Sequence, residues 1–300
     1  MKRYYTDVFV LPLPAGHRFP MEKYSLLRQR LLASGEFSET DFCTPAAASV
    51  EELQRAHDPA YVQRVSNGEL SAAELKRIGF PWSPGMVERS LRSAGATLAA
   101  CRTALAEGCS ANLAGGTHHA HADRGEGFCV FNDAAVAARA MLAEGRARRV
   151  AIIDCDVHQG NGTAAILKGD DNVFTFSIHG ARNFPFEKEI SDLDIELPDG
   201  TGDDAYLAAL EAGMNETLTR SQPELVIYLA GADPYAGDRL GRLKLSFAGL
   251  EARDRLVLNT CRQRGIPVAL AMAGGYAQPI DDTVAIHATT VITAQRCFFG

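Results

Sequence analysis

The chain has 300 residues, 46% hydrophobic and 22% charged, which excludes wholesale disorder and suits one large α/β domain better than one small module. Thirty Lys and Arg against thirty-seven Asp and Glu give a net charge of −7. That argues against holding nucleic acid directly through the overall field, and allows an acidic surface that tolerates cationic substrates.

The first residues, Met1-Lys2-Arg3, carry the charge of a signal peptide, but Asp7, Pro12 and Pro14 interrupt the apolar stretch behind them. No later run approaches the ~20 apolar residues that span a bilayer. Seven cysteines without a CxxC pair read as reduced, buried thiols, and the chain is expected to be a soluble, cytoplasmic protein. Ser83-Pro84 places an N-cap and an N1 proline before a helix that ends at Gly108. A candidate strand, Ser110–Leu113, follows, and then Gly115-Gly-Thr-His118-His119-Ala-His121. The continuous apolar runs 150–153, 173–178, 225–230 and 267–272 predict strands buried on both faces. Between them, Thr201 with Asp204 resembles a capping box, and Ser246 opens a helix that stops at Gly265. No linker, repeat or low-complexity tract divides the chain, so residues 1–300 read as one domain. The expected fold is α/β, a central, mostly parallel sheet flanked by helices.

In such sheets chemistry sits beyond the carboxyl ends of the strands. After the run 150–153 come Asp154, Asp156 and His158, alternate residues that share one face in extended chain. Two acids and an imidazole converging there are costly without a cation. Asp233 follows the run 225–230, and Gly274-Gly275-Tyr276 follows the last run. One strand-end Asp is usually a helix cap, and one His an ordinary surface or core residue. Four such elements at one sheet edge make a site instead. Asp and His ligands without thiolate suit Zn²⁺, Fe²⁺ or Mn²⁺, and an open position holds water for hydrolysis.

The segments Gly115–Ala120, Gly127-Phe-Cys129 with Asn132-Asp133, Asp154–Gly162, Gly231-Ala-Asp233 and Gly274-Gly-Tyr276 resemble the metal-dependent histone deacetylase family. Asp123–Cys129, His158–Gly162 and Gly237–Gly241 are most similar to its class IV branch and bacterial relatives. The resemblance covers nearly the whole chain, in order. It implies the arginase/deacetylase fold and a zinc-dependent hydrolase that removes acetyl or longer acyl groups from lysine ε-amines, with Fe²⁺ as the alternative ion.

The resemblance also assigns roles. Asp156, His158 and Asp233 would hold the metal; His119 would be the general base and His118 its electrostatic neighbour. Tyr276 would stabilise the oxyanion, with Gly274 and Gly275 letting the backbone approach the substrate. Asp154 would stand behind His118 and Asn161 behind His119. Class I members carry Asp where Asn161 stands, and an amide orients the ring without charge, so His119 should keep a lower pKa. Asp154 and Ser177, with backbone carbonyls of Asp156, His158 and Ile178, fall on a structural potassium site. Gly127, Phe128 and Phe184 would wall the lysine channel, although plain core packing is a credible reading of Phe184. Arg18 aligns with the family arginine of an internal channel. Thr117 stands where an aromatic residue is common, which implies a deeper foot to the pocket and an acyl chain longer than acetyl. His121 has no family role and reads as a surface histidine. No acidic rim residue is apparent near Phe80-Pro-Trp82.

The expected partner is an acylated lysine protein or a small acylated amine. Three other readings stay open: an acetylpolyamine or other small-molecule amidohydrolase, a binuclear manganese hydrolase of the arginase type, and a catalytically inactive acyl-lysine binding protein.

Overall fold

The computed structural model describes all 300 residues. Eight strands, β1 (Arg3–Tyr4), β2 (Phe42–Cys43), β3 (Cys109–Asn112), β4 (Val150–Asp154), β5 (Val173–Gly180), β6 (Leu193–Leu197), β7 (Leu225–Leu229) and β8 (Val268–Ala271), form one sheet in the order β2-β1-β3-β8-β7-β4-β5-β6. Every pairing is parallel. The helices before β4 are α1 (Lys23–Ala33), α2 (Val50–Gln54), α3 (Pro59–Asn67), α4 (Ala72–Ile78), α5 (Pro84–Glu107) and α6 (Asp133–Ala143). Those after it are α7 (Asn161–Leu167), α8 (Asp203–Ser221), α9 (Phe247–Gln263) and α10 (Ile280–Phe299). No helix is long and apolar enough to cross a membrane.

The buried runs become central strands because both faces of each are covered. On β4, Val150 and Ile152 pack with α5 and α6 in one core, while Ala151 and Ile153 join α8, α9 and α10 in the other. Strand β7 divides the same way, Leu225 and Ile227 against Val226 and Tyr228. Alternation sorts residues between two apolar layers, so no polar face remains to break the run.

The helix signals are answered unevenly. Ser83 accepts from the Met86 N–H at 3.0 Å and opens α5, which Gly108 closes at φ +95°. Ser246 caps α9 by accepting from Gly249 at 3.0 Å. The capping box at Thr201 does not form: its hydroxyl donates to the Pro198 carbonyl at 2.7 Å, and Gly202 is the N-cap of α8. The neighbouring Asp203 instead accepts from the Ser246 N–H at 2.8 Å, joining the start of α8 to that of α9.

Register brings the strand ends level. Asp154 lies opposite Leu229 of β7 and Ser177 of β5, and Ala271 of β8 lies opposite Leu229 and Asn112. The loops after β3, β4, β5, β7 and β8 therefore leave the sheet along one edge, as the strand-end argument requires.

Candidate active site

Beyond β4 the chain folds back on its own carboxylates. Asp154 Oδ1 accepts from the Asp156 N–H at 3.1 Å, and Asp156 Oδ1 accepts from the His158 N–H at 2.9 Å. These short loops aim Asp156 and His158 inward, toward the end of β7. There Asp233 Oδ1 accepts from the Val157 N–H at 2.9 Å, whereas its Oδ2 is buried without any hydrogen-bond partner. His158 Nδ1 lies 2.9 Å from Asp156 Oδ1 and 3.4 Å from Asp233 Oδ2. One donor atom from each of the three residues falls within 4.8 Å of the others.

The loop after β8 closes the cluster. The Gly274 N–H donates to Asp156 Oδ2 at 2.7 Å, and a Cβ at Gly274 would sit 2.6 Å from that oxygen, nearer still to Asp233. Only glycine fits there. Burial and the charge of Asp156 raise Asp233 to about 7. An orphaned carboxylate oxygen, a second acid repelling it and an imidazole facing both fit a divalent cation, which would relieve the repulsion.

The paired histidines stand beside this cluster with ring centroids 4.1 Å apart. Their backing differs. His118 Nδ1 lies 2.6 Å from Asp154 Oδ2, and His119 Nδ1 lies 2.6 Å from Asn161 Oδ1. Burial opposes a charge on His118, but Asp154 and Asp156 outweigh it and lift the ring to about 9. His119 is held well below the usual value, first by burial and then by the charges of His118 and His158. An amide oxygen can only accept, so His119 Nδ1 carries hydrogen and Nε2 keeps a free lone pair. The expected low pKa is present, with burial rather than the amide as its main cause. Tyr276 is buried, and that burial keeps its phenol protonated far above neutral pH. Its own N–H is anchored on Asp238 Oδ2 at 2.6 Å. Asp156, His158, Asp233, His118, His119 and Tyr276 all line one cavity of about 600 Å³.

Residues 17–292 match the histone deacetylase domain. The chain is 32% identical over 285 residues to a histone deacetylase-like amidohydrolase of Pseudomonas aeruginosa, covering 89% of this chain and 74% of that protein. It is 31% identical to histone deacetylase 2 of Arabidopsis thaliana, over 90% of this chain and 72% of that one. A crystal structure of an HDAC homolog from Aquifex aeolicus superposes with a TM-score of 0.85 at 25% identity, covering 98% of this chain and 83% of the other. The chain belongs to the histone deacetylase family. Its fold is therefore the arginase/deacetylase fold, and the homologues imply an amidohydrolase.

Within this deacetylase-family site several positions depart from the sequence reading. His121 is buried, not on the surface: its Nε2 lies 3.3 Å from Asn161 Nδ2, and Glu126 stands 3.7 Å away. The two turn the amide so that its oxygen meets His119. Arg18 is exposed at the mouth of the cavity rather than inside it. The buried cation there is Lys23, with its Nζ 5.1 Å from the Tyr276 ring and 3.4 Å from the Gly275 carbonyl. Phe184 is no plain core residue; it lines the cavity with its ring edge-on to His119 at 4.9 Å. Phe128 forms the other wall at φ +67°, a strained backbone for a phenylalanine, stacked among Phe19, Phe80 and Tyr276. Gly127 precedes it at φ +55°.

Thr117 spends its hydroxyl on the Phe131 carbonyl and Asp133, 2.5 and 2.7 Å away. Behind it lies a second cavity of about 40 Å³, lined by Leu11, Phe80, Met86 and Phe131 among others. Asp154 and Ser177 are paired neighbours on β4 and β5, and Ser177 Oγ lies 2.9 Å from His179 Nδ1.

Sequence reasoning missed the residues that hold this machinery from behind. Asp133 also accepts from the N–H groups of Gly116 and Thr117, at 3.0 and 2.8 Å, and so shapes the turn before the histidines. His57 accepts from the Asn132 N–H at 2.8 Å and lies 2.9 Å from the His121 carbonyl through its other nitrogen. Asn132-Asp133 was visible as a motif without a role; His57 and Asp238 carried no signal of their own.

Proposed function

We propose that this chain hydrolyses the amide joining an acyl group to the ε-amine of a lysine. The observation that carries the reading is the orphaned Asp233 Oδ2 within the Asp156–His158–Asp233 cluster, beside a neutral His119 and a protonated Tyr276. These three residues would hold a divalent ion, Zn²⁺ being our choice for an N/O set, which when bound polarises the carbonyl and acidifies water.

The remaining chemistry belongs to the side chains. His119 Nε2 takes a proton from the attacking water and returns it to the leaving amine. His118, charged against Asp154 and Asp156, stabilises negative charge developing nearby. The Tyr276 hydroxyl donates to the carbonyl oxygen as it becomes an oxyanion. Phe128 and Phe184 clasp the lysine methylenes and exclude water from the reacting bond. Asp154 and Ser177, paired across β4 and β5, would hold a structural potassium ion together with the neighbouring backbone carbonyls.

The cavity behind Thr117 supports acyl groups longer than acetyl, since each further buried CH₂ contributes about 0.8 kcal/mol. The test joins metal analysis of the purified chain with turnover of one lysine peptide acylated from formyl to myristoyl. We expect one divalent ion per chain, hydroxamate-sensitive hydrolysis, and a kcat/KM for a medium or long acyl group at least equal to that for acetyl. A metal-loaded chain that hydrolyses none of the series is an acyl-lysine binder instead. A tenfold or greater preference for acetyl removes the deeper-pocket reading alone.

A further inference from the structure

The mouth of the cavity is basic, although the chain as a whole carries −7. Five arginines line it, Arg18, Arg77, Arg182, Arg239 and Arg242, and every one is exposed. Apart from Asp156 and Asp233 on the floor, the one carboxylate lining the cavity is Glu126, which lies against His121 and Asn161. Arg242 is paired with Asp199 at 3.2 Å, and Arg239 Nε donates to the Tyr276 carbonyl at 3.1 Å. Arg18, Arg77 and Arg182 have no carboxylate within 4.0 Å and no side-chain hydrogen bond. They arrive from separate parts of the chain: the stretch before α1, the last turn of α4 and the loop after β5. Exposed Phe186 and Leu240 stand on the same rim.

Charges of one sign around a low-dielectric cleft focus their field at its opening. A polyamine, or a lysine flanked by further basic residues, meets repulsion there. We infer that the acylated lysine this site takes is flanked by carboxylates, in an acidic peptide segment whose Asp and Glu side chains spread over the arginine rim. This rests on the hydrolase reading and names its substrate class. The arginines surround the opening in several directions instead of converging on one point, and guanidinium groups pair with carboxylates by parallel N–H···O bonds. Several separate anions along an extended chain match that layout better than one compact anion does.

The experiment uses three peptides with the same central acyl-lysine, flanked by Glu, Gln or Lys, assayed with the whole metal-loaded chain. We expect kcat/KM to fall in the order Glu, Gln, Lys, at least tenfold from first to last at low salt, mostly through KM. Half-molar salt should shrink the ratio to within about threefold, because the screening length is then only a few ångströms. Arg77→Glu and Arg182→Glu should narrow or invert the ratio, while Arg182→Lys, which keeps the charge, should preserve most of it. Melting temperatures of the variants exclude misfolding as the cause. Equal rates for the three peptides, or a preference for Lys flanks, overturns the inference.

Fluorescence-polarisation binding of the same labelled peptides decides the rim even if nothing is cleaved. Glu-selective binding without turnover sustains the rim and overturns the hydrolase reading, and non-selective binding with turnover does the reverse. Competition by submillimolar inorganic phosphate against the Glu peptide would show a compact anion site and overturn the acidic-peptide assignment.

Discussion

On the floor of the cavity Asp156, His158 and Asp233 are buried on strand ends, whereas at the mouth Arg77 and Arg182 stand in water on a helix end and a loop. The floor works at low dielectric, where a buried carboxylate oxygen without a hydrogen-bond partner, Asp233 Oδ2, is costly and therefore conspicuous. At the mouth the individual charges interact weakly and act through their sum. Changes on the floor should therefore be close to all-or-none and insensitive to salt. Those at the mouth should be graded and should fade as salt rises.

The largest effect is expected from Asp233→Ala, which leaves two of the three candidate ligands. Both metal retention and turnover should be lost, as read by metal analysis and a peptide assay. A variant that keeps stoichiometric metal and a near-normal rate would place the metal elsewhere. Next comes Tyr276→Phe, which removes one donor to the oxyanion and should cost about 10²–10³ in kcat with the metal retained. A rate within a few-fold of the parent would mean that another group polarises the carbonyl.

A third measurement probes the support beneath the floor. Burial holds His57 down at about 4 from an ordinary 6.5, where its neutral ring accepts the Asn132 N–H. The unfolded chain then binds the extra proton first, so stability present above pH 6.5 is lost as pH falls from 6.5 towards 4. The loss amounts to roughly 3 kcal/mol. Denaturant midpoints for the parent and His57→Gln should converge over that window. Parallel pH profiles would remove His57 from the account.

The smallest effect in this set concerns Asn161→Asp. A carboxylate behind His119 favours its protonated form, so the acid limb of kcat/KM should move to higher pH by about one unit. An unmoved limb would mean that the group behind the ring does not set its pKa, leaving burial and the charges of His118 and His158.

Much of the floor was legible in the sequence, and the reason is geometric. Asp154, Asp156 and His158 follow a strand whose apolar run is unbroken because both faces are buried, so the switch to acids stands out. Short or half-exposed strands offered no such contrast. Strands β1 and β2 have two residues each, and β6 alternates Leu and Ile with Asp and Glu at the sheet edge. Thr201 had the right letter for a cap but spends its hydroxyl on Pro198. The arginine rim was illegible in principle: its members are exposed, share no spacing and meet only because loops from distant parts of the chain end at one opening. Net charge pointed the other way, since −7 describes the whole surface and not this part of it.

The main-chain N–H of Gly274 ends on Asp156 Oδ2, two residues ahead of Tyr276. An amide donates more strongly to a full anion than to a carboxylate whose charge is shared with a cation. The strength of this bond should therefore follow the loading state of the acid cluster. Hydrogen exchange at the Gly274 amide becomes a gauge of that loading, readable on the resting protein with no substrate present.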